Sequence, residues 1–261
     1  MIRELCENAN TYTRLGPGNE RLVDPRFVIA FSPGSGPHSS VVQRLRLVEP
    51  HVDDTIAEIR SLIAARGGKV CHWEVADSAT PPDLVDRLLG LGCVPDPDEP
   101  LAVGMVLTDP PGGGFPGVTA RHVETLAEFE QAVRIAHEAF GSPDAVMDES
   151  VANAAKAFTT EGDGWRTYLA FVDGQPVARA TAGFTEHGVL LFGGATIASA
   201  RGHGAYRALV RARWDDAVAA GTPVLVTHAG VMSRPILTRL GFREVSQIHI
   251  LLDRFGEPHA G

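Results

Sequence analysis

Cysteine is scarce in this chain. There are three, Cys6, Cys71 and Cys93, an odd number with no Cys-x-x-Cys pair. That argues against a disulfide framework or a zinc cluster and fits a reducing, cytoplasmic setting. Long apolar runs are also missing. None approaches the ~20 residues a membrane span needs, and the opening "MIRELCENAN" lacks the apolar core of a signal peptide. Positive charge is in deficit: 23 Lys and Arg stand against 32 Asp and Glu, a formal net charge of −9. Nucleic acid, which wants a basic face, is therefore not an expected partner, and neither is a membrane. The balance is compatible with a cationic or amine-bearing ligand, but a solvated acidic surface is the favoured reading of it. The ten histidines are scattered without HxxxH or HxH spacing, so no metal site is expected.

What the chain has is enough apolar residue, 44% of 261, to bury one large or two small cores. Its clearest break is "DPPGGGFPG", residues 109–117, whose three prolines and four glycines continue neither a helix nor a central strand. It reads as a linker between residues 1–108 and 118–261. The two halves share an order of features. In each, an amphipathic helix ends at a glycine (Gly68, Gly221), where a left-handed cap is usual. A short apolar strand follows (Val70–Val75, Val224–His228). Then come a loop, a helix opened by proline (Pro82, Pro235), and Leu-Gly before an apolar residue (Leu91-Gly92-Cys93, Leu240-Gly241-Phe242). Four such features in one order point to a duplicated fold.

The second half has α+β character. "LAEFEQAVRIAHEAF" repeats apolar residues at helical spacing. Residues 141–150 read as a polar loop and "VANAAKAF" as a short helix. Asp173-Gly174 and His187-Gly188 are hairpin turns between β-rich runs. "PVLVTH" is a buried strand, and "EVSQIHILLD" closes the sheet of this half. The result is a mixed sheet flanked by helices.

The stretch "ARGHGAYRALV", residues 200–210, places glycines between a strand and a helix. The helix puts Tyr206, Leu209, Val210, Trp214 and Ala217 on one stripe toward the sheet. Its first turn offers free N–H groups and the positive end of the helix dipole. Gly202 and Gly204 clear the approach, and Arg201 and Arg207 add positive charge, so the whole is a candidate phosphate cradle. A glycine-rich turn with solvated arginines is the plain alternative. A dinucleotide fingerprint would need glycine where Arg207 stands, and a Walker A lysine is absent.

Arg201-Gly-His-Gly-Ala-Tyr resembles the R/Q-x-x-G-x-G/A pyrophosphate loop of the GNAT superfamily, the acetyl-CoA-dependent N-acetyltransferases. "ALVRARWDDAVAAG", "VLVTHAG" and "RPILTRLGFRE" are similar to that family's next helix, strand and Leu-Gly-Phe close. The resemblance covers residues 118–255. It implies a GNAT-like fold in two tandem copies, 1–108 being incomplete and binding no coenzyme, because "VVQRLRLVEPHVDDT" holds no glycine where the loop would fall. It implies acetyl-CoA as co-substrate. The strand end Thr196, Ile197 and Ala198 would pair with the pantetheine arm. Arg201, Gly202, His203, Gly204, Ala205 and Tyr206 would hold the pyrophosphate. Ser233 stands where a polar residue often meets the coenzyme, or simply caps the last helix.

The implied reaction is direct attack by a primary amine, on a small-molecule acceptor, with an oxyanion met by a backbone N–H near Ile197. His228, at the end of its strand, is a candidate base, with a hydrogen-bonded strand-end histidine as the other reading. Tyr168, Glu186, His187, Asp144, Asp148 and Glu149 are further candidates on the acceptor side. Cys71 and Cys93 read as small core residues. The chain departs from the family pattern in three places. Tyr206 replaces a small loop residue. Leu237 stands where a tyrosine acid is common. "VLLFGGATIA" carries no carboxylate. The departures keep a non-catalytic acyl-CoA sensor in view, and a dinucleotide-binding oxidoreductase behind it. Whether the chain forms a homodimer is left open.

Overall fold

Apolar residues at helical spacing and short β-rich runs alternate along the chain, and in space they become helices laid on mixed sheets. The computed structural model describes residues 1–34, 36–159, 161–162 and 164–255. Contacts divide the chain into two compact units. An amino-terminal unit holds Arg3–Met105, His228–Pro235 and the chain from Glu244 onward. A carboxy-terminal unit holds Met1–Ile2, Val106–Thr227 and Ile236–Arg243. No described helix is long and apolar enough to cross a membrane.

In the first half of the chain the order is α1 (Ile2–Glu7), α2 (Ala9–Tyr12), β1 (Glu20–Val23), β2 (Val28–Phe31), β3 (Ser40–Gln43), α3 (Val52–Ala64), β4 (Val70–Ala76), α4 (Leu84–Gly90), β5 (Val94–Pro95) and β6 (Leu101–Leu107). β1, β2 and β3 form an antiparallel meander, and β3 runs parallel to β4 through the crossover helix α3. The apolar stripe of α3, Val52, Ile56, Ile59 and Ile63, buries against Phe27, Ile29, Trp73 and Leu88. Burial of this kind yields about 25 cal/mol per Å² of apolar surface, which is what holds a 13-residue helix that would be marginal alone.

The second half contains β7 (Val118–His122), α5 (Leu126–Phe140), α6 (Asp144–Ala152), α7 (Ala154–Phe158), β8 (Trp165–Val172), β9 (Gln175–Thr185), β10 (Gly188–Thr196), α8 (Ala205–Ala219), β11 (Leu225–Ala229), α9 (Arg234–Arg239) and β12 (Arg243–Arg254). The carboxy-terminal sheet has the order β11-β10-β9-β8-β7, with β10 parallel to β11 and the other pairs antiparallel. The turn between β8 and β9 is Asp173-Gly174, both at positive φ (49° and 79°), the conformation a two-residue hairpin prefers. α5 starts where the Thr125 side chain accepts from Glu128 N and stops at Gly141 in the left-handed conformation. It covers one sheet face, packing Phe129, Ala132 and Ile135 against Leu169. α8 covers the other, where Tyr168, one residue along β8 from Leu169, meets Asp216.

Two expectations are corrected. Residues 141–150 are not a loop: α6 begins at Asp144, directly after Pro143, with its acid in the first turn where the dipole favours it. The last strand does not close the sheet of its own half. β12 pairs antiparallel with β4, from Ile248↔Ala76 to Arg254↔Val70. The reason is buried chemistry. Asp253, 1% exposed, accepts from Arg60 Nε of α3 at 2.8 Å and from Trp73 Nε1 of β4 at 3.0 Å. No periodicity within β12 names those partners.

Candidate functional site

β10 ends at Thr196, and a short 3₁₀ turn, Ala198–Ala200, leads to Arg201. Gly202 and Gly204 then take positive φ, 83° and 88°, and α8 starts at Ala205 with Gly204 as its N-cap. Side chains resist that backbone conformation, so glycine is what lets the strand fold back into the helix. No side chain caps the helix, and no acid lies in its first turn. Among the described residues, the backbone N–H groups of Gly202, His203, Gly204, Ala205 and Tyr206 donate to no backbone carbonyl outside the helix. Arg201 Nε approaches Thr196 O at 3.4 Å, and His203 Nδ1 lies 3.1 Å from Arg201 O. Space beside Gly202 is open. A Cβ at Gly204 would lie 2.2 Å from the Phe115 ring, over which Arg207 stands at 5.2 Å. A row of N–H groups at a helix start, with arginines and no carboxylate, fits an anionic diphosphate. Phe115 bounds the cradle on its Gly204 side.

Upstream, β10 carries a bulge. Phe192 pairs with Thr181 and Ala195 with Arg179, so Gly193 and Gly194 together oppose the single Ala180. Both glycines are exposed. Gly193 has φ 52°, and a Cβ at Gly194 would meet the Tyr206 ring at 2.7 Å. β10 and β11 are in register only at Val189↔Leu225 and Leu190↔Val226, with Thr227 Oγ1 donating to Leu191 O at 3.2 Å beyond them. The two parallel strands therefore part just where the bulge exposes backbone. Sequence reasoning missed this bulge, and adjacent glycines inside a strand were its signal.

The structure separates the expected site residues. Thr196, Ile197, Ala198 and Arg201–Tyr206 lie together at the end of β10 and the start of α8. The Ile197 N–H donates to Val177 O at 3.0 Å and so is not free to meet an oxyanion. His228 belongs by its contacts to the amino-terminal unit. Its Nε2 lies 2.8 Å from Cys6 O, a pure acceptor, so Nε2 carries the proton and donates. Burial pushes its pKa down to about 4, leaving a neutral ring that is a weak base. The hydrogen bond fits the other reading, a strand-end histidine. Ser233 also falls in that unit, half-buried, with Oγ 3.4 Å from Gly230 O. The Tyr168 hydroxyl donates to Asp216 Oδ2 at 2.6 Å beneath α8, and burial raises its pKa. Asp144, Asp148 and Glu149 are exposed on α6, and Glu186 pairs with His187 at the β9–β10 turn. The three cysteines are free and buried, with thiols pushed up, Cys6 and Cys93 to about 12.

In the amino-terminal unit the corresponding backbone is hydrogen-bonded within the unit. After β3 the chain forms a bridge, Arg46 beside Thr80, with Thr80 N donating to Leu45 O at 3.2 Å and Leu47 N to Thr80 O at 3.1 Å. The Arg44 N–H goes to Asn8 Oδ1 at 2.8 Å. The first turn of α3 carries Asp53 and Asp54, which repel an anion. On β4, Glu74 accepts from Gln43 Nε2 at 2.8 Å, and burial pushes its carboxyl up to about 7.

No family model and no curated protein matches the chain. Solved structures do. A GCN5-related N-acetyltransferase from Kribbella flavida is 22% identical, with a TM-score of 0.70 over 92% of this chain and 91% of that one. A tandem GNAT protein from the clavulanic acid biosynthesis pathway is 16% identical, with a TM-score of 0.64 over 98% and 94%. A GCN5-related N-acetyltransferase from Sphaerobacter thermophilus is 15% identical, with a TM-score of 0.62 over 89% and 82%. Element order, the parting of β10 from β11 and these likenesses agree: the chain has the fold of the GCN5-related N-acetyltransferases, in a tandem arrangement.

Proposed function

We propose that the protein is an acyltransferase that moves the acetyl group of acetyl-CoA to the primary amine of a small molecule. The observation that carries this reading is the row of N–H groups from Gly202 to Tyr206, uncommitted to the neighbouring loop backbone and led by two left-handed glycines at the start of α8. In this reading the row holds the pyrophosphate. The backbone of Thr196 and Ala198 lies along the pantetheine arm, and the amine attacks the thioester carbonyl beside the bulge. An N–H of Gly193 or Gly194 takes the role first sought at Ile197, since neither glycine has a partner in register. β10 has no carboxylate, so the ammonium proton leaves to water.

One observation favours a second reading, an acyl-CoA sensor without turnover. Leu237, 1% exposed, stands where the family often has an acid for the leaving thiolate. Both readings need the coenzyme, so the first test is a thermal shift with acetyl-CoA, desulfo-CoA and NAD. It is run on the native chain and on Gly202→Glu, which puts a carboxylate in open space beside the cradle. At 100 times Kd a ligand adds about 2.7 kcal/mol and a shift of several degrees. The expected outcome is a shift with both CoA compounds, none with NAD, and none in the variant. No shift with either CoA compound sinks both readings. Binding without thiol release from any amine selects the sensor.

A further inference from the structure

Resting on the acetyltransferase reading, we propose that the acceptor amine also carries a carboxylate, and that Arg179 binds it. Arg179 sits on β9 opposite Ala195, directly past the bulge, on the sheet face it shares with Leu169. Its Nη1 donates to the Gly193 carbonyl at 3.1 Å. A Cβ at Gly193 would lie 2.6 Å from the same nitrogen, so glycine there makes room for the guanidinium at the bulge. Its Nε is buried and makes no hydrogen bond, and among the described residues no carboxylate pairs with it.

The surroundings leave this cation short of negative charge. The acid that acts on it is Glu161, whose oxygens already accept from Thr167 N at 2.7 Å and Thr167 Oγ1 at 2.6 Å. The buried Arg213 of α8 adds a second positive charge nearby. Enclosure and that neighbour lower the guanidinium to about 10, so it is still cationic at neutral pH. The guanidinium is half-buried, its Nε enclosed without a partner and its Nη1 on one carbonyl, and a two-oxygen anion is the group that matches its planar fork. On the other side of the bulge, and on the same face, the partly exposed Phe192 ring lies 5.5 Å from Trp165. An acceptor lying across the bulge thus meets an arginine at one end and an aromatic pair at the other, with its amine between them. An amino acid with an apolar side chain has that shape.

The test uses a product pair that differs only in the carboxylate, N-acetylphenylalanine and N-acetylphenethylamine, titrated calorimetrically into the native chain, Arg179→Gln and Arg179→Lys. The acid is expected to bind the native chain at least tenfold tighter than its decarboxylated partner. Arg179→Gln should bring the two within twofold, and Arg179→Lys should keep part of the preference. Equal binding to the native chain, no binding of either probe, or a preference unchanged in Arg179→Gln overturns the proposal. If Arg179→Gln does not fold, the native comparison and Arg179→Lys decide alone. The acetyl-CoA thermal shift is read on the same samples. Its absence from the native chain defeats the acetyltransferase reading by itself, while discrimination between the acid and its decarboxylated partner still reports on the arginine.

Discussion

The two units carry the same strand, helix and parallel strand, and they spend the backbone around it differently. In the carboxy-terminal unit, the chain leaving β10 passes through Gly202 and Gly204 and leaves N–H groups uncommitted to the loop at the start of α8. In the amino-terminal unit, the chain leaving β3 is hydrogen-bonded to Thr80 and to Asn8, and α3 opens with two aspartates. Shared architecture therefore does not confer a coenzyme slot. In the reading proposed above, the slot lies where donors are left unspent and where the charge at the helix start is positive. Each unit also pins its crossover helix with one carboxylate shared by an arginine and an aromatic donor. Asp253 binds Arg60 and Trp73 in one, and Asp216 binds Arg166 and Tyr168 in the other.

The pins give the largest expected effect. Asp253 is 1% exposed, so Asp253→Ala leaves the Trp73 N–H without its acceptor and leaves Arg60, 24% exposed, with Leu91 O and Cys93 Sγ as its remaining partners. Losing a buried hydrogen bond to a charged group costs about 1.5–3 kcal/mol, and the bonds to Arg60 and Trp73 are both lost here. The loss should appear as a lower urea midpoint followed by tryptophan fluorescence. A loss below about 1 kcal/mol would show that β12 is not fixed to the amino-terminal sheet through this carboxylate. Asp216 has a 29% exposed side chain and Arg166 a 36% exposed one, so water replaces part of what Asp216→Ala removes. The expected cost is about 1–2 kcal/mol, mostly from the buried Tyr168 hydroxyl left without its acceptor. A larger loss from Asp216→Ala than from Asp253→Ala, in the same urea series, would invert the comparison.

Much of this was legible in the sequence, and the divide follows the range of the interaction. The glycine-led helix, the Asp173-Gly174 hairpin and the parallel strand were legible because glycine placement and apolar periodicity act over a few residues. The stripe of α8 was legible except for Arg213, which is buried among Leu209, Val210 and Trp214. Periodicity marks a charged residue as solvent-facing and has no means of marking an exception. The pairing of β12 with β4 joins Arg254 to Val70, and no local pattern reports a contact of that range. His228 looked like a base because its residue type and strand end suit one. Its bond to Cys6, far away in the chain, is beyond the reach of any local pattern. Arg179 went unremarked because a single arginine in a strand has no motif. Only its register with the bulge sets it apart.

The smallest effect concerns acid, and it rests on two groups of the amino-terminal unit that oppose each other. His228 is held near 4, below its usual value, chiefly by burial. As pH falls from about 6.5 toward 4 the unfolded chain takes a proton that the folded chain refuses, so this group makes stability fall with pH. Glu74 is held near 7, above its usual value, again chiefly by burial. As pH falls from about 7 toward 4.5 the folded chain takes a proton that the unfolded chain does not, so this group makes stability rise. Solvent reaches both side chains, which reduces each contribution to about 1 kcal/mol. Over their shared window the two nearly cancel. Glu74→Gln removes one arm and should make stability fall by about 1 kcal/mol between pH 6.5 and 5, and His228→Gln should make it rise by a similar amount over the same range. Both are read as urea midpoints at each pH. Parallel pH curves for the native chain and Glu74→Gln would mean that this carboxyl titrates at its ordinary value and that β4 is open to water at that point.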